Sequence, residues 1–485
     1  MRTIGRDFGD TARKVYAVAS GALGNGKTCV VNSNGTVSVV GGATTSLGSE
    51  VIYESGATSW NNIVYDTSND KVVIAYQDAG NSYKGKAVVG TISGSSISFG
   101  SITGFSGTNQ AEVYGIVFDS SNNKVVISYK DGSDSDYGKA IVGTVSGTSI
   151  SFGTAVTYNS SSSSNGKVSF DSSNNKVLIH YSEGSSAYGI VGTVSGTGIS
   201  FGSEVQIINE QVTFEAQVFD SNANKILVVY RRGDNNNSLN AKVATISGTS
   251  VSYGSEAELG QSGTVTAINL ANDACFDPDN NKIAVFYSDK GNSAYGTVQV
   301  GTISGTSVSF GTAVVYNSAD TPRVGVSYDT ANNVIVVAYE IVNNGNGRVR
   351  TAAISGTSIT FNDDSILFQS SNGVDWLKSV YDPDQGKTVL VYRNEAQSNK
   401  GVAKVYTVGF TNLTSENFIG ITPSAYPDGA GAEIQTKGAV NEEQSGLTAG
   451  QSYFVQTDGT LGTTAGDPSV FAGTAVSATK IIVKG

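Results

Sequence analysis

The sequence predicts an all-β fold: a seven-bladed β-propeller closed by an N-terminal strand, plus a small β domain formed by the two chain ends. Two observations lead to this prediction. A unit of about fifty residues recurs along the chain, which is typical of repeat architectures. Within each unit apolar residues alternate with polar ones at a period of two, and no segment has helical spacing.

The first marker of the repeat is an aspartate that ends an apolar strand and precedes a polar turn. Its seven copies are separated by 49 to 57 residues and are Asp66, Asp119, Asp171, Asp220, Asp277, Asp329 and Asp382. The turns that follow read "TSND", "SSNN", "SSNN", "SNAN", "PDNN", "TANN" and "PDQG". Because Asn, Asp and Gly tolerate left-handed backbone angles, these segments are predicted to be hairpin turns.

The second marker is an aromatic residue or leucine before a small residue, most often within "SGTSxSFG". Its seven copies are Leu47, Phe99, Phe152, Phe201, Tyr253, Phe310 and Phe361. Between the markers lie strands such as "KVVISYKD", "AIVGTVSG" and "SISFGTAVTY", in addition to the strand that leads into each aspartate. Four strands per unit predict propeller blades, whereas the alternative, a linear β-solenoid, usually has shorter rungs.

The two marker sets are offset in a way that predicts how the ring closes. Leu47 lies in a fourth strand that has no first three, while residues 379–409 hold three strands without a fourth. The N-terminal strand is therefore expected to complete the last blade and remove exposed strand edges. The predicted boundaries are 1–42 for an N-terminal β segment, 43–409 for the propeller and 410–485 for a C-terminal β domain.

The two flanking segments share a motif. "LGNGKTCVVNSNGTV" (23–37) aligns without gaps to "LTAGQSYFVQTDGTL" (447–461). Each combines a glycine turn, a short alternating strand and an "NGT" or "DGT" turn. The chain ends are therefore expected to form one small β domain into which the propeller is inserted.

These terminal segments carry a resemblance to a known class of proteins. "NLTSENFIGITPSAYPDGAGAEIQTKGAVNEEQSGLTAGQSYFVQTDGTL", with "AGTAVSATKIIVKG" and the N-terminal "ASGALGNGKTCVVNSNGTVSVV", resembles the ends of virion structural proteins of tailed bacteriophages, marine and cyanophage proteins of tail-fibre type above all. The "VGTVSGTSISFGTAV" repeats resemble those found between such ends. The resemblance implies a virion protein and supplies no catalytic residue.

Composition argues against several classes of protein, including nucleic-acid-binding, secreted and membrane-spanning proteins. The net charge of −11 makes nucleic acid an unexpected partner. The first residues lack the apolar core of a secretory signal, and no apolar run reaches the ~18 residues of a membrane helix. Cys29 and Cys275 are expected to be free, buried thiols. With one His and two Cys, no Cys/His metal motif is expected.

Enzymatic chemistry finds little support in the sequence, and we expect neither catalytic residues nor a cofactor. His180 replaces ordinary strand residues of other repeats and is predicted to be structural. Arg323 and Arg393 are candidates to face the channel, but the sialidase pattern is missing, and no catalytic carboxylate pair can be chosen. The "DSSNNK" turns are predicted to be capped hairpins rather than calcium loops, although calcium at one or two blades stays open.

The loop between the second and third strands of each repeat is the predicted binding surface. It is rich in Tyr, Asp, Asn and Lys, which suit sugar hydroxyls or a protein surface. The candidate residues are Asp78, Tyr83, Asp131, Tyr137, Glu183, Tyr188, Asp289 and Tyr295. The alternative is that the four tyrosines cap the sheets and pack blade against blade.

Taken together, the sequence favours a non-enzymatic phage virion protein, a tail fibre or tail-associated adhesin that contacts the host surface. The alternatives are a head fibre or decoration protein and a glycan-degrading tailspike. The expected partners are other virion proteins and a host glycan or protein, with a homotrimer as the first expectation for assembly.

Overall fold

The described chain folds into two all-β units, which confirms the all-β part of the prediction. The computed structural model describes residues 13–43, 45–233, 238–260, 273–361, 365–370, 373–466 and 468–484. Contacts group residues 47–406 into the larger unit and residues 1–46 with 407–485 into the smaller one, close to the predicted boundaries. Among the described residues, short 3-10 helices occur at Lys290–Asn292, Val342–Asn344 and Glu395–Gln397. No described segment forms a helix long and apolar enough to cross a membrane.

The smaller unit draws its strands from both chain ends. Its first sheet has the order Lys14–Val18, Gly431–Gln435, Phe418–Ile421, Thr28–Val31 and Val37–Val39. Its second has the order Val440–Asn441, Ile481–Val483, Val470–Ala475, Ser452–Val455 and Leu461–Gly462, and Gly42–Ala43 pairs with Phe410–Thr411. Buried side chains of both ends, among them Val30, Ile421 and Val455, share one core.

The larger unit is a β-propeller built from the repeats, whose strands form five antiparallel sheets among the described residues. One sheet contains Ser46–Leu47, Val51–Asp66, Lys71–Asp78, Lys84–Ser93, Ser96–Phe99, Thr103–Gly104, Val374–Asp382, Lys387–Asn394 and Lys400–Thr407. Another contains Ala111–Asp119, Lys124–Asp131, Tyr137–Ser146, Ser149–Phe152, Val156–Asp171, Lys176–Glu183, Ser186–Ser195, Gly198–Phe201 and Val205–Ile208.

Three further sheets have five strands each. The first contains Val212–Asp220, Lys225–Arg232, Leu239–Ser247, Ser250–Tyr253 and Ala257–Glu258. The second contains Asp273–Asp277, Lys282–Asp289, Tyr295–Ser304, Ser307–Phe310 and Val314–Asp320. The third contains Val324–Asp329, Val334–Ile341, Asn346–Ser355, Ser358–Phe361 and Ile366–Gln369. The apolar cores lie between neighbouring sheets, as where Val73 and Val89 share a cluster with Val113 and Ile127.

The marker aspartates stabilise the hairpin turns that follow them. Each accepts a hydrogen bond from the backbone N–H two residues on, at 2.9–3.0 Å, and each is buried. The last turn residue has a positive φ of 52–61° in every copy; these residues are Asp70, Asn123, Asn175, Asn224, Asn281, Asn333 and Gly386. The side-chain cap and the left-handed residue together explain why Asp and Asn recur here.

A glycine after the second marker sets how closely consecutive sheets approach. A Cβ on Gly153 would lie 2.0 Å from the backbone oxygen of Thr197, in the hairpin of the next repeat. The same close approach recurs at Gly48, Gly100, Gly202, Gly254 and Gly311, with distances of 1.7–2.6 Å. Because no real Cβ tolerates such contacts, only glycine allows these sheets to pack at this spacing.

The strand that leads into each marker aspartate packs against its counterparts in the neighbouring repeats. These inner strands are Val51–Asp66, Ala111–Asp119, Val156–Asp171, Val212–Asp220, Asp273–Asp277, Val324–Asp329 and Val374–Asp382, and the last also packs against the first. Their side chains surround a central channel, in which the candidate site lies.

We predict that Gly153→Ala lowers the free energy of unfolding by about 1–3 kcal/mol, because the added Cβ forces two backbones apart. The matched control is Gly198→Ala, since that glycine lies in a comparable hairpin strand and its nearest neighbour to a Cβ is 3.7 Å away. The control should change stability by less than about 0.5 kcal/mol. Urea unfolding curves for both variants test this, and equal midpoints would contradict the packing described.

Candidate functional site

Five inner strands bulge at the same position of the repeat, and three of these bulges contain a residue with positive φ. In these three the pairing shifts between Ser59 and Asn62, between Ser164 and Lys167, and between Asp375 and Lys378. The non-glycine residues with positive φ are Trp60 (54°), Asn165 (53°) and Trp376 (51°). Such residues carry backbone strain, and bulges of this kind re-aim side chains and are frequent beside functional sites.

The bulges enclose a small cavity at one end of the channel. Its volume is about 60 Å³, and inner strands of five repeats line it. The lining residues are Trp60, Asn61, Asn62, Val113, Tyr114, Asn165, Gly166, Lys167, Thr213, Phe214, Glu215, Trp376, Leu377 and Lys378. Ser59 pairs with Gln77, just before the loop at 79–83, so the cavity lies at the end of the sheets that carries the predicted binding loops.

Aromatic rings form the apolar wall of the cavity. The ring centroids of Trp60 and Trp376 lie 4.5 Å apart with a 34° tilt, and the edge of Tyr114 meets Trp60 at 6.4 Å. These two tryptophans are the only ones in the chain. Both are half-buried, so each leaves part of its surface toward the cavity.

Two residues that line the cavity have buried polar atoms without a hydrogen-bond partner among the described residues. Asn61 is 2% exposed, and neither atom of its amide has a hydrogen-bond partner among the described residues. The indole Nε1 of Trp376 is also buried and lacks a partner in that part of the chain. Because an unpaired buried polar group costs about 1–3 kcal/mol, these groups require an explanation.

The charges around the cavity leave one cation uncompensated. Lys378 pairs with Asp273 at 3.2 Å, and Glu215 pairs with Arg231 at 3.4 Å. Lys167 has no ion-pair partner among the residues that the structure describes. Burial, together with the nearby charge of Lys378, lowers the pKa of Lys167 to about 8. The Lys167 ammonium is therefore charged at neutral pH, although burial makes the charged form less favourable than it is in water.

A second polar cluster lies at the same end of the larger unit. Both Arg323 and Arg393 bind the carboxylate of Asp375, through separate oxygens. Nearby, Glu340 accepts a hydrogen bond from the backbone N–H of Val374 at 3.3 Å. Burial raises the pKa of Glu340 to about 7. The cluster thus combines an arginine-bound carboxylate with a carboxyl group whose pKa lies near neutrality.

At the opposite end of the channel the residue before each marker aspartate is aromatic. Tyr65 donates a hydrogen bond to Asp384, and Tyr328 donates one to Asp279 in the turn of the preceding repeat. These tyrosines connect neighbouring sheets, and we assign them to packing rather than to binding.

The eight predicted binding residues do not form one exposed surface. Asp78 and Asp131 are buried and form ion pairs with Lys86 at 2.5 Å and Lys139 at 2.8 Å. For these two residues the expected exposed position is wrong, because the loop folds back and each carboxylate is neutralised by a lysine of the next strand.

The other predicted loop residues are more accessible. Tyr83 is 49% exposed with a positive φ of 61°, whereas Glu183, Asp289, Tyr137, Tyr188 and Tyr295 are half-buried. Tyr188 stacks on the buried Tyr181 of the neighbouring strand in the same sheet, with ring centroids 6.0 Å apart. Burial raises the pKa of Asp289.

His180 is fully buried between Gln217 and Tyr253, with a distance of 2.9 Å from a ring nitrogen to each. Burial lowers its pKa to about 4, so the ring is neutral, as a structural histidine requires. Both cysteines are free and buried. The described residues contain no group of three or more His, Cys, Asp or Glu that could hold a metal ion.

Sequence reasoning missed the channel residues. Trp60, Asn165 and Trp376 each lie six positions before a marker aspartate (66 − 60, 171 − 165 and 382 − 376). That equal spacing, with both tryptophans of the chain at it, was the available signal. Arg323 and Arg393 were considered as channel residues but their shared partner, Asp375, was not.

Comparisons with known proteins find only distant likenesses to solved structures. No protein-family model and no curated protein sequence matches the chain. The β-propeller domain of Myceliophteria thermophila Cps50 (Swd1) is similar at 8% identity and a TM-score of 0.44, over 74% of this chain and 100% of that one. The Dos1 propeller is similar at 10% identity and a TM-score of 0.44, over 75% and 95%. Neither likeness bears on function, and the fold assignment rests on this chain's own sheets.

We predict that the stability of the larger unit depends on pH through Glu340. The pKa of Glu340 is raised in the folded state, so between about pH 4.5 and 7 the folded protein binds more protons than the unfolded chain. The free energy of unfolding therefore falls as pH rises through that window. Glu340→Gln removes this dependence. The variant should be more stable than the parent at pH 8, by about 3 kcal/mol at most, and similar to it at pH 4.

Thermal unfolding at both pH values tests this expectation. The exposed Glu258→Gln, in the same unit, is the control and should shift neither midpoint. A Glu340→Gln variant that is less stable than the parent at pH 8 would show that the carboxylate is ionised and needed there.

Proposed function

We propose that the protein is a non-enzymatic virion component of a tailed phage, a tail fibre or tail-associated adhesin, whose propeller binds a host-surface ligand at the channel cavity. The observation that carries the binding role is the buried, unpartnered Asn61 beside two strained tryptophans that line the cavity. The virion assignment rests on the resemblance of the terminal segments. Virion localisation and contacts with other virion proteins are part of the same proposal.

We further propose that the larger unit is a closed, seven-bladed propeller. Two strands, Val51–Asp66 and Val156–Asp171, are 16 residues long, and each pairs with one sheet by its first half and with another by its second. If each is divided at that point, the two nine-stranded sheets become two blades each, and three five-stranded sheets complete seven. Pairing of Val51–Ala57 with Lys400–Ala403 supports closure by the N-terminal strand.

The smaller unit is proposed to hold copies of this chain together, with a homotrimer as the first expectation. Its outer strand Lys14–Val18 exposes apolar surface, since Val15, Tyr16 and Val18 are 37%, 72% and 51% exposed. A partner that covers this strand would bury that surface. Light scattering of the full chain should give three times the chain mass, and a stable monomer would contradict the proposal.

A glycan-degrading role is the second candidate, and the Glu340 and Asp375 pair favours it. A carboxyl group protonated near neutrality beside an ionised carboxylate is the arrangement of an acid and its partner in glycosidases. However, two arginines bind Asp375, which leaves it poorly placed to attack or to activate water. Release of oligosaccharide from a host glycan, lost in Glu340→Gln, would favour this role over the adhesin.

We predict that a glycan ligand changes the intrinsic fluorescence of the full chain, because both tryptophans line the cavity. Glycans that bind on an array should quench or shift the emission in a saturable manner without being cleaved. Trp60→Phe should weaken this binding about tenfold or more while the unfolding midpoint changes little, since the remaining ring still fills the bulge.

The control for this experiment is Tyr83→Ala, because Tyr83 is exposed on a predicted loop outside the cavity. A ligand that binds without any change in emission, and whose binding depends on Tyr83, would move the site to the loops. If no glycan binds, a decoration role becomes the better explanation.

A further inference from the structure

We propose that the channel cavity selects an acidic sugar, by binding the carboxylate of a uronic-acid residue next to Lys167. This inference rests on the proposed binding function and names the class of ligand for that site. It depends on three features of the cavity: its charge, its size and the arrangement of polar groups beside the aromatic wall.

The charge favours an anion. The two carboxylates near the cavity, Glu215 and Asp273, each already have a cationic partner in Arg231 and Lys378. Lys167 remains without one among the described residues, although the cavity wall surrounds it. A ligand carboxylate would complete the pairing and leave the cavity neutral, whereas a cationic ligand would face an unpaired ammonium.

The size limits what enters. A cavity of about 60 Å³ holds several water molecules, which leaves room for a carboxylate with its nearest atoms. The ring of the sugar would lie against the half-buried tryptophan pair, with its carboxylate pointing inward. A pyranose has a flat C–H face suited to such a wall, and hydroxyls at its edge.

The polar groups suit those hydroxyls. Asn61 offers one acceptor and two donors, all without partners in the described chain, and the indole N–H of Trp376 offers another donor. Both lie in the same bulges that present the rings. A bound sugar would thus form hydrogen bonds with the Asn61 amide and the Trp376 indole N–H, which are unfavourable when left unpaired. These bonds would offset the backbone strain of the bulges.

The test is a titration of the full chain with a glucuronate-containing trisaccharide and with its methyl ester, followed by tryptophan fluorescence at pH 7. The acid should bind at least tenfold more tightly than the ester. Lys167→Gln should remove this preference by weakening the acid and leaving the ester unchanged. The control Lys176→Gln, at the start of the strand Lys176–Glu183 and outside the cavity, should behave as the parent.

The preference for the acid should also decline as pH rises through about 8, where Lys167 loses its proton in the field of Lys378, Glu215 and Asp273. Equal binding of acid and ester by the parent would overturn this inference while leaving the adhesin proposal intact. Saturable quenching by neutral glycans alone would also overturn the preference for an acidic sugar and leave the adhesin proposal intact. Absence of quenching by every glycan would instead count against the channel as the binding site.

Discussion

The close approach of each sheet to the next, possible only at glycine, is the constraint on which the larger unit depends. At six positions a Cβ would lie within 1.7–2.6 Å of a backbone oxygen in the following repeat. This fixes the spacing of the sheets at their outer strands, and the apolar clusters between sheets fill the space so defined. Since the outer strands and the turns carry this packing, the inner strands are left free to vary where they line the channel.

The inner strands are irregular at one end of the channel and regular at the other. Toward the marker aspartates the inner strands are regular, and tyrosines connect one repeat to the next. Toward the loops, three of the bulged inner strands place Trp60, Asn165 and Trp376 in left-handed conformations, at a cost on the order of 1–3 kcal/mol each. A ligand that pairs with Asn61 and Lys167 would account for both the strain and the unpaired groups.

The features that could be predicted from the sequence are those that depend on residues close together along the chain. The Asp and Asn turns were predictable because a cap and a left-handed residue lie within five positions of each other. The positions of Asp78 and Asp131 were not, because their burial depends on lysines of the next strand. The contact between Trp60 and Trp376 could not be predicted either, because the two residues are 316 positions apart (376 − 60). Packing of the first repeat against the last brings them together.

The most direct test of this arrangement is a cryo-electron microscopy map of the full chain that resolves the strands of the larger unit. Seven sheets around one channel are expected, with the strand at 51–57 paired to 400–403 and the two tryptophans in contact within the channel. A ring with another number of sheets, or an open arc in which the first and last repeats are apart, would contradict it, because the cavity would then lose a wall.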